Sequence, residues 1–204
     1  MLHVVDSADD HLSPVLAAMF AARKRVFVDL LKWNVPVLDD QFEIDQFDDR
    51  HATYLVLADD AGCHLGSARL LPTTRPHILD SVFADLCADT PPRGTTVREI
   101  TRFCLDRDRT ARERRVIRDT LVCALVDHAL AHGIATYSAI AELGWYSQIL
   151  AFGWHCRPLG VPVSSGGATL AALAIDIDAG TPALLARAGL RSAAELLGDR
   201  RVAA

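Results

Sequence analysis

The sequence predicts an α/β fold, a three-layer α-β-α sandwich with a mixed, mostly antiparallel central sheet. Two observations lead to this prediction. Segments with helical periodicity alternate with apolar, strand-like runs in the order β-α-β-β-β-α-β-α-β-α. Consecutive strands followed by a β-α-β unit indicate a mixed sheet with helices on both faces. At 204 residues the chain has the length of one domain, which we place at 1–204.

The first half of the chain contains a long predicted helix from Leu12 to Leu31. Ser13 is a suitable cap, and Pro14 follows in the first turn. Apolar residues recur every three or four positions along this helix, namely Leu12, Leu16, Met19, Val26 and Leu30. Around the helix we predict strands at 2–5, 53–58, 63–71 and 95–105, an acidic loop at 34–50 and a short helix at 78–86.

The second half alternates helices and strands. Glycines end two of the predicted helices, Gly133 after 111–131 and Gly153 after 145–152. Strands are predicted at 134–140 and 169–177, and a C-terminal helix at 182–197. The element order resembles that of N-acetyltransferase-like folds.

Composition excludes several classes of protein. The formal net charge of −5 argues against nucleic-acid binding. We expect no membrane span, because apolar runs are too short, and a cytoplasmic location, because the N-terminus does not resemble a signal peptide. The five cysteines are scattered without a C-x-x-C pair, which favours buried small hydrophobic side chains over disulfides or metal ligands.

Arg23 lies on the apolar face of the predicted first helix. A guanidinium facing a core is costly unless carboxylates meet it. Six acidic residues lie between Asp39 and Asp49, and Glu99 lies in a later strand. The alternative is that Arg23 reaches solvent from the edge of the apolar face.

Charged residues also interrupt two predicted strands. Alternation places Glu99 and Arg102 on opposite faces of a strand that should be central, and Arg69 interrupts an earlier strand. Either the later strand is an edge strand, or its charges are paired where the sheet splays. A single polar cluster explains these exceptions together, and its predicted members are Arg23, Arg69, Arg102, Asp45, Asp48 and Glu99.

Four motifs follow one another along the chain. They are Arg23 with Val26-Phe27 and Trp33, then Glu43-x-Asp45-x-Phe47-Asp48, then Gly66-x-x-Arg69-Leu70-x-Pro72-Thr73, and finally Glu99-x-x-Arg102-Phe103. In order and spacing these motifs resemble the acyl-homoserine-lactone synthases, the autoinducer synthases of bacterial quorum sensing. The resemblance covers about residues 2 to 155. The family's functional residues carry over onto Arg23, Phe27, Trp33, Asp45, Asp48, Arg69, Glu99 and Arg102.

The resemblance implies that S-adenosylmethionine and an acyl thioester are the substrates and that no further cofactor is needed. The methionyl amine attacks a thioester carried on acyl-carrier protein or coenzyme A. The methionyl carboxylate then displaces methylthioadenosine to close the lactone. Glu99 is the candidate base, and backbone N–H groups beside Phe103 and Cys104 are candidate oxyanion donors.

Several substrate contacts follow from the same resemblance. Phe27 and Trp33 would cover the sulfonium and adenine, and Asp45 and Asp48 would hold the cationic end of the substrate or the arginines. An acyl channel is expected between the last strands and 137–154, and Phe103 and Ala139 are further candidate substrate-binding residues. Ala139 stands where members that make 3-oxo products often carry threonine, which favours an unsubstituted acyl chain.

A basic stretch at 107–118 holds six arginines against two acidic residues. It is either a solvated helix start or a docking surface for the phosphopantetheine donor. If it is a docking surface, the residues predicted to contact the donor are Arg107, Arg109, Arg112 and Arg115. The family's basic residue after the 134–140 strand is absent, since Glu142, Leu143 and Gly144 stand there, which keeps acyl-CoA open beside acyl-carrier protein.

Two other functions remain open at this stage. One is a different N-acyltransferase that uses acetyl-CoA, although 106–112 lacks the glycines of a pyrophosphate loop. The other is a non-catalytic binding module. No metal site is expected, because His128 and His132 have metal-pair spacing without a third ligand nearby.

Overall fold

The computed structural model of the chain describes residues 1–6 and 13–190. The strands are β1 (Leu2–Asp6), β2 (Val37–Leu38), β3 (Phe42–Glu43), β4 (Thr53–Ala58), β5 (His64–Pro72), β6 (Val97–Leu105), β7 (Thr136–Glu142), β8 (His155–Pro158), β9 (Val163–Ser165) and β10 (Ala168–Asp176). The helices are α1 (Pro14–Arg23), α2 (Ile78–Ser81), α3 (Ala111–His132), α4 (Leu143–Ala151) and α5 (Thr181–Arg187). None of the helices in these residues is long and apolar enough to span a membrane.

The predicted helix from Leu12 to Leu31 changes type part-way. After α1 the chain continues as a π-helix over Lys24–Leu30, and Leu31 donates its backbone N–H to Val26 five residues earlier, at 3.0 Å. The wider turn rotates the following residues, so Leu30 is 52% exposed and its predicted place on the buried face is wrong. Leu12 lies outside the described residues.

Other differences concern short elements. The predicted acidic loop contains the β2–β3 hairpin, and the sequence prediction missed β8 and β9. A 3-10 turn, Ala84–Leu86, follows α2 where one short helix was expected. The structure describes α5 only to Arg187, and the predicted C-terminal helix beyond residue 190 lies outside the described residues.

The chain divides into two compact units. The first contains Met1–Leu71 and Arg102–Leu121. Its strands β1, β4 and β5 pair antiparallel, and the C-terminal half of β6 follows β5 in the sheet order. Tyr54 of β4 pairs in register with Arg69 of β5, which places both side chains on one face.

The second unit contains Pro72–Thr101 and the chain from Val122. Here the N-terminal half of β6 pairs parallel with β7, while β10 pairs antiparallel with β7, β8 and β9. The pairing of β6 with β7 ends at Ile100 and Ala139, and β7 continues to Glu142. The predicted mixed, mostly antiparallel sheet is confirmed.

Helices cover both faces of the strands in each unit. In the first unit, α1 packs on the face that carries Arg69. Gly66 faces the other way, towards α3, where a Cβ atom added to Gly66 would lie only 2.8 Å from Ile117. In the second, the Tyr137 hydroxyl donates to Leu125 of α3, whereas α2 packs on the opposite face. The predicted α-β-α layering is therefore present in each unit.

A buried histidine in β5 gives the first unit a pH-dependent stability. His64 is 4% exposed, its Nε2 lies 2.9 Å from the Ser67 hydroxyl, and its Nδ1 has no hydrogen-bond partner among the described residues. Burial lowers the pKa of His64 from 6.5 to about 4. Since the unfolded chain binds this proton at higher pH than the native protein, acid destabilises the fold.

We predict that the free energy of unfolding decreases by up to about 3 kcal/mol as the pH falls from 6.5 to 4, with full stability above pH 6.5. His64→Leu should flatten this dependence, and the exposed His132→Ala should retain it. Denaturant titrations at several pH values measure the slope. An equal slope in His64→Leu and wild type would contradict the prediction.

Candidate active site

A buried network of six charged residues occupies the first unit, and we call it the ion network. It consists of Arg23, Glu43, Asp45, Asp48, Arg69 and Arg102. Arg23, the last residue of α1, is fully buried. Its Nε donates to Glu43 at 2.6 Å, and its two terminal nitrogens donate to both oxygens of Asp48 at 2.8 Å. The alternative of a solvent-reaching arginine is therefore wrong.

The other two arginines bind the same carboxylates from neighbouring strands. Arg69 of β5 donates to both oxygens of Asp45, at 2.7 and 3.0 Å, and lies 2.8 Å from Asp48. Arg102 of β6 donates to Glu43 at 2.9 Å and to Asp45 at 2.7 Å. Glu43 thus takes the third acidic position of the network, which the sequence prediction had given to Glu99.

Three positive and three negative charges make the ion network formally neutral. Burial disfavours ionisation of Asp48, but Arg23 and Arg69 outweigh burial and hold the pKa of Asp48 well below its usual range. Burial likewise opposes the charge of Arg69, and Asp48 and Asp45 raise its pKa above the usual value. Asp48 and Arg69 therefore stay charged in the core because each has partners of opposite charge.

Asp45 and Asp48 occupy different positions in the network. Asp48 has no exposed side-chain surface and accepts further hydrogen bonds from the Tyr54 hydroxyl and the Asp45 backbone N–H, both at 2.9 Å. Asp45 retains 5% of its side-chain surface, and Arg102 retains 11%. The exposed edge of the network is therefore formed by Asp45 and Arg102.

Aromatic rings adjoin this edge. Phe27, in the π-helix, is buried and stacks on Trp33 with ring centroids 4.7 Å apart and an angle of 11° between the ring planes. The guanidinium of Arg102 lies 5.8 Å from the centre of the Phe27 ring. Trp33 is 38% exposed, so its outer surface is available for contact with a ligand.

Arg102 has an unusual backbone conformation within β6. Its φ is 50°, a left-handed value that is rare for a residue with a side chain and uncommon inside a strand. This conformation interrupts the regular alternation of β6 between Thr101 and Phe103. Of the two alternatives for this strand, the structure shows pairing of its charge at Arg102, which binds Glu43 and Asp45.

Glu99 lies in the second unit and is fully buried. Its carboxylate accepts the first two backbone N–H groups of α2, from Ile78 at 2.9 Å and from Leu79 at 3.1 Å. His77 precedes this helix, and its N–H binds Asp80 at 2.8 Å. Glu99 therefore joins β6 to the start of α2, a partner that the sequence did not indicate.

The sequence model of the family described as autoinducer synthase matches residues 10–183. The chain belongs to this family. It is an acyltransferase of the acyl-homoserine-lactone synthase class. A curated acyl-homoserine-lactone synthase from Ralstonia solanacearum is 34% identical over 175 residues, which is 83% of this chain and 85% of that protein. Isovaleryl-homoserine lactone synthase from Bradyrhizobium diazoefficiens is 32% identical over 179 residues, which is 87% of this chain and 80% of that protein.

Solved structures of other autoinducer synthases have the same fold. The CoA-dependent acyl-homoserine lactone synthase BjaI, with MTA, has a TM-score of 0.83 at 30% identity, covering 93% of this chain and 90% of its own. An N-acetyltransferase from Lactobacillus plantarum has a TM-score of 0.57 at 17% identity, covering 87% of this chain and 99% of its own, which shows a likeness of fold alone. The N-acetyltransferase-like fold class is confirmed.

The predicted docking arginines of this autoinducer synthase lie before and within the first turns of α3. Arg107, Arg112 and Arg115 are exposed, whereas Arg109 is ion-paired with Asp59 at 3.2 Å. Thr110 and Glu113 form reciprocal hydrogen bonds that cap the helix. The surface therefore presents three outward cations at a capped helix start.

The remaining predicted residues lie in different places. Phe103 is half-buried in the first unit, beside the strained Arg102. Ala139 is buried in the second unit, on the face of β7 that also carries Tyr137. Ser138 lies on the opposite face of β7 and is the register partner of Glu99. The structure therefore does not bring Ala139 together with Glu99.

The sequence analysis missed Glu43, a member of the ion network, and Tyr54, whose hydroxyl donates to Asp48. Glu43 belongs to the Glu43-x-Asp45 motif, so its spacing could have identified it, whereas Tyr54 looks like an ordinary aromatic residue in an apolar strand. Within the described residues, no group of three potential ligands could hold a metal ion. The His128 and His132 rings stack with centroids 4.0 Å apart.

Proposed function

We propose that this autoinducer synthase converts S-adenosylmethionine and an acyl thioester into an acyl-homoserine lactone, with release of methylthioadenosine and without a further cofactor. The observation that carries the proposal is the ion network, whose exposed edge at Asp45 and Arg102 adjoins the stacked rings of Phe27 and Trp33. Because its buried charges are all ion-paired, the network holds Asp45 and Arg102 in position before a substrate binds.

The structure supports a division of roles between the two aspartates. Asp48 is saturated by Arg23, Tyr54 and the Asp45 backbone, so we assign it to holding the arginines in place. Asp45 lies at the exposed edge, so we assign it to the cationic end of S-adenosylmethionine. The stacked Phe27 and Trp33 suit a sulfonium or an adenine ring.

The chemistry requires a base and an oxyanion site. The methionyl ammonium group first loses a proton to solvent, and the amine nitrogen then attacks the thioester carbon while Glu99 takes its second proton. Collapse of the tetrahedral oxyanion restores the carbonyl and expels a thiolate, which takes up a proton. The left-handed turn at Arg102 supports the assignment of oxyanion donors to the N–H groups beside Phe103 and Cys104.

In the second step the methionyl carboxylate oxygen attacks the carbon attached to the sulfonium. The carbon–sulfur bond breaks, its electron pair returns to sulfur, and methylthioadenosine leaves. The leaving sulfur is already cationic, so the reaction needs proximity and exclusion of water more than further acid catalysis. The Trp33 ring over this region would exclude water from the sulfonium.

Acyl-CoA is the favoured donor, with acyl-carrier protein as the alternative. BjaI, which is described as CoA-dependent, was also solved with SAM and isopentyl-CoA. In addition, Glu142, Leu143 and Gly144 stand where the family places a basic residue, which weakens the case for an acidic carrier protein. The exposed arginines of 107–118 suit the phosphates of either donor.

We predict that Arg112→Glu combined with Arg115→Glu raises the apparent KM for the acyl donor and leaves that for S-adenosylmethionine nearly unchanged, because only the donor carries phosphopantetheine. The effect should decrease with salt, since exposed charges are screened within about 10 Å at 0.1 M. Arg187→Glu, an exposed arginine on α5, is the control. If the KM for the acyl donor changes neither with the two substitutions nor with salt, the basic stretch at 107–118 is only a solvated helix start.

The proposed reaction is tested by measuring methylthioadenosine release from S-adenosylmethionine with a panel of acyl-CoA and acyl-carrier-protein thioesters. Release that requires both substrates and depends on acyl length supports the proposal. Acetylation of other amines by acetyl-CoA, without methylthioadenosine, would identify a different N-acyltransferase. No turnover and only ligand binding would indicate a binding module.

A further inference from the structure

Ser138 of β7 has a buried hydroxyl with no assigned function. The residue is 0% exposed, and its Oγ has no hydrogen-bond partner among the described residues. An unpaired buried hydroxyl destabilises a fold, and alanine at this position would avoid the penalty. Alanines occupy positions 139 and 141 of the same strand and the register position 174 on β10. The hydroxyl therefore has hydrogen-bonding capacity that no described residue uses.

The register of the strands places Ser138 beside Glu99. The two residues are direct partners in the parallel pairing of β6 and β7, so their side chains lie on one face of the sheet. The same face carries α2, whose N–H groups from Ile78 and Leu79 bind the Glu99 carboxylate. A hydroxyl and a carboxylate thus form the polar end of this buried face.

The face becomes apolar next to Ser138. Ile140 lies two residues after Ser138 in β7 and pairs with Ala172 of β10. Leu79 and Leu86 pack against Ala172 on the same face. Cys87 and Leu159, at the margin of this cluster, also line a surface groove of about 270 Å³. A polar end joined to an apolar cluster matches an acyl group whose carbonyl lies at the polar end.

We propose that Ser138 donates a hydrogen bond to the carbonyl oxygen of the acyl thioester and is a catalytic residue of the N-acylation step. As the amine nitrogen attacks the carbonyl carbon, the C=O electron pair moves to this oxygen, and the Ser138 hydroxyl stabilises the oxyanion. Glu99 takes the proton lost from nitrogen, and restoration of the carbonyl expels a thiolate, which then takes up a proton. This inference rests on the proposed function.

The proposal also changes the expected acyl contact. Alternation along β7 puts Ala139 on the opposite face from Ser138, among residues that pack on α3. The acyl group is then assigned to the face of Ser138 and Ile140, covered by Leu79 and Leu86. Ser138 and Ile140 thus replace Ala139 as the β7 residues assigned to contact the acyl group.

The test compares Ser138→Ala and Ser138→Cys with wild type in the methylthioadenosine-release assay. Loss of an oxyanion donor should lower kcat by about 100-fold, with the KM for S-adenosylmethionine nearly unchanged. Ser138→Cys keeps the shape but has only a weak donor, so it should be similarly slow. The Tm of Ser138→Ala should equal or exceed that of wild type, because no hydrogen bond within the protein is lost.

Ser67→Ala is the matched control, since Ser67 is also buried but its hydroxyl is paired with His64 at 2.9 Å. It should lower Tm and leave kcat nearly unchanged. The inference would be overturned if Ser138→Ala kept the wild-type kcat, whether or not its Tm fell, or if only the KM for S-adenosylmethionine changed. Either result would leave the proposed function intact. Absence of turnover in wild-type protein would overturn the proposed function and this inference with it.

Discussion

Arg23→Ala is expected to destabilise the protein by about 3–5 kcal/mol, because it leaves the buried carboxylates of Glu43 and Asp48 without their shared partner. In a chain of 204 residues this corresponds to a fall in Tm of roughly 10 °C. Activity should fall as well, since the edge of the ion network loses its support. Denaturant unfolding and thermal melts, measured beside methylthioadenosine release, give both quantities.

Arg25→Ala is the matched control, because Arg25 is an exposed residue two positions away. Arg23→Lys keeps the charge but cannot reproduce the three hydrogen bonds to Glu43 and Asp48, so it should fold with intermediate stability and allow kinetics if the alanine variant does not fold. Equal effects of Arg23→Ala and Arg25→Ala would contradict the structural role of the ion network.

Glu99→Gln is expected to lower activity by about 10²- to 10⁴-fold, because an amide cannot accept the amine proton. The fold should persist, since the Gln oxygen can still accept one of the N–H groups from Ile78 and Leu79. The measurement is kcat/KM for both substrates across pH, with circular dichroism to confirm folding.

A control is needed because Glu99 also anchors α2. Asp80→Asn weakens the start of the same helix through the His77 N–H and leaves Glu99 in place. If Glu99 acts as the base, Asp80→Asn should reduce activity far less than Glu99→Gln. Activity of Glu99→Gln within a few-fold of wild type would remove this carboxylate from the chemistry.

The sequence predicted much of the site because its residues violate their local patterns. Arg23 on an apolar helix face and Arg69 inside an apolar strand are costly unless paired, so their pairing with nearby acids could be expected. The partner of Glu99 could not, because two backbone N–H groups of a short helix leave no side-chain signature. Glu43 was not predicted to join the ion network, because its hairpin has no periodicity that would show which way the side chain faces, although its motif was recognised.

The length of an element decided whether it was predicted. Long apolar or amphipathic segments such as β4 and α3 carry a clear pattern of their own, and their predicted bounds agree with the structure within one residue. Strands of two to four residues, such as β2 and β8, depend on their partners and carry no pattern of their own. The π-helix after Arg23 changes the residue period, which an analysis with a fixed 3.6-residue period cannot detect.

The central claim is that one enzyme both acylates the methionyl amine and closes the lactone with the methionyl carboxylate. The most direct test supplies S-adenosylmethionine with both carboxylate oxygens labelled with ¹⁸O, together with a preferred acyl thioester, and analyses the products by mass spectrometry. The account predicts one methylthioadenosine per acyl-homoserine lactone, with both labels retained in the lactone. An N-acylated S-adenosylmethionine that accumulates without methylthioadenosine, or a lactone that has lost one label, would contradict it.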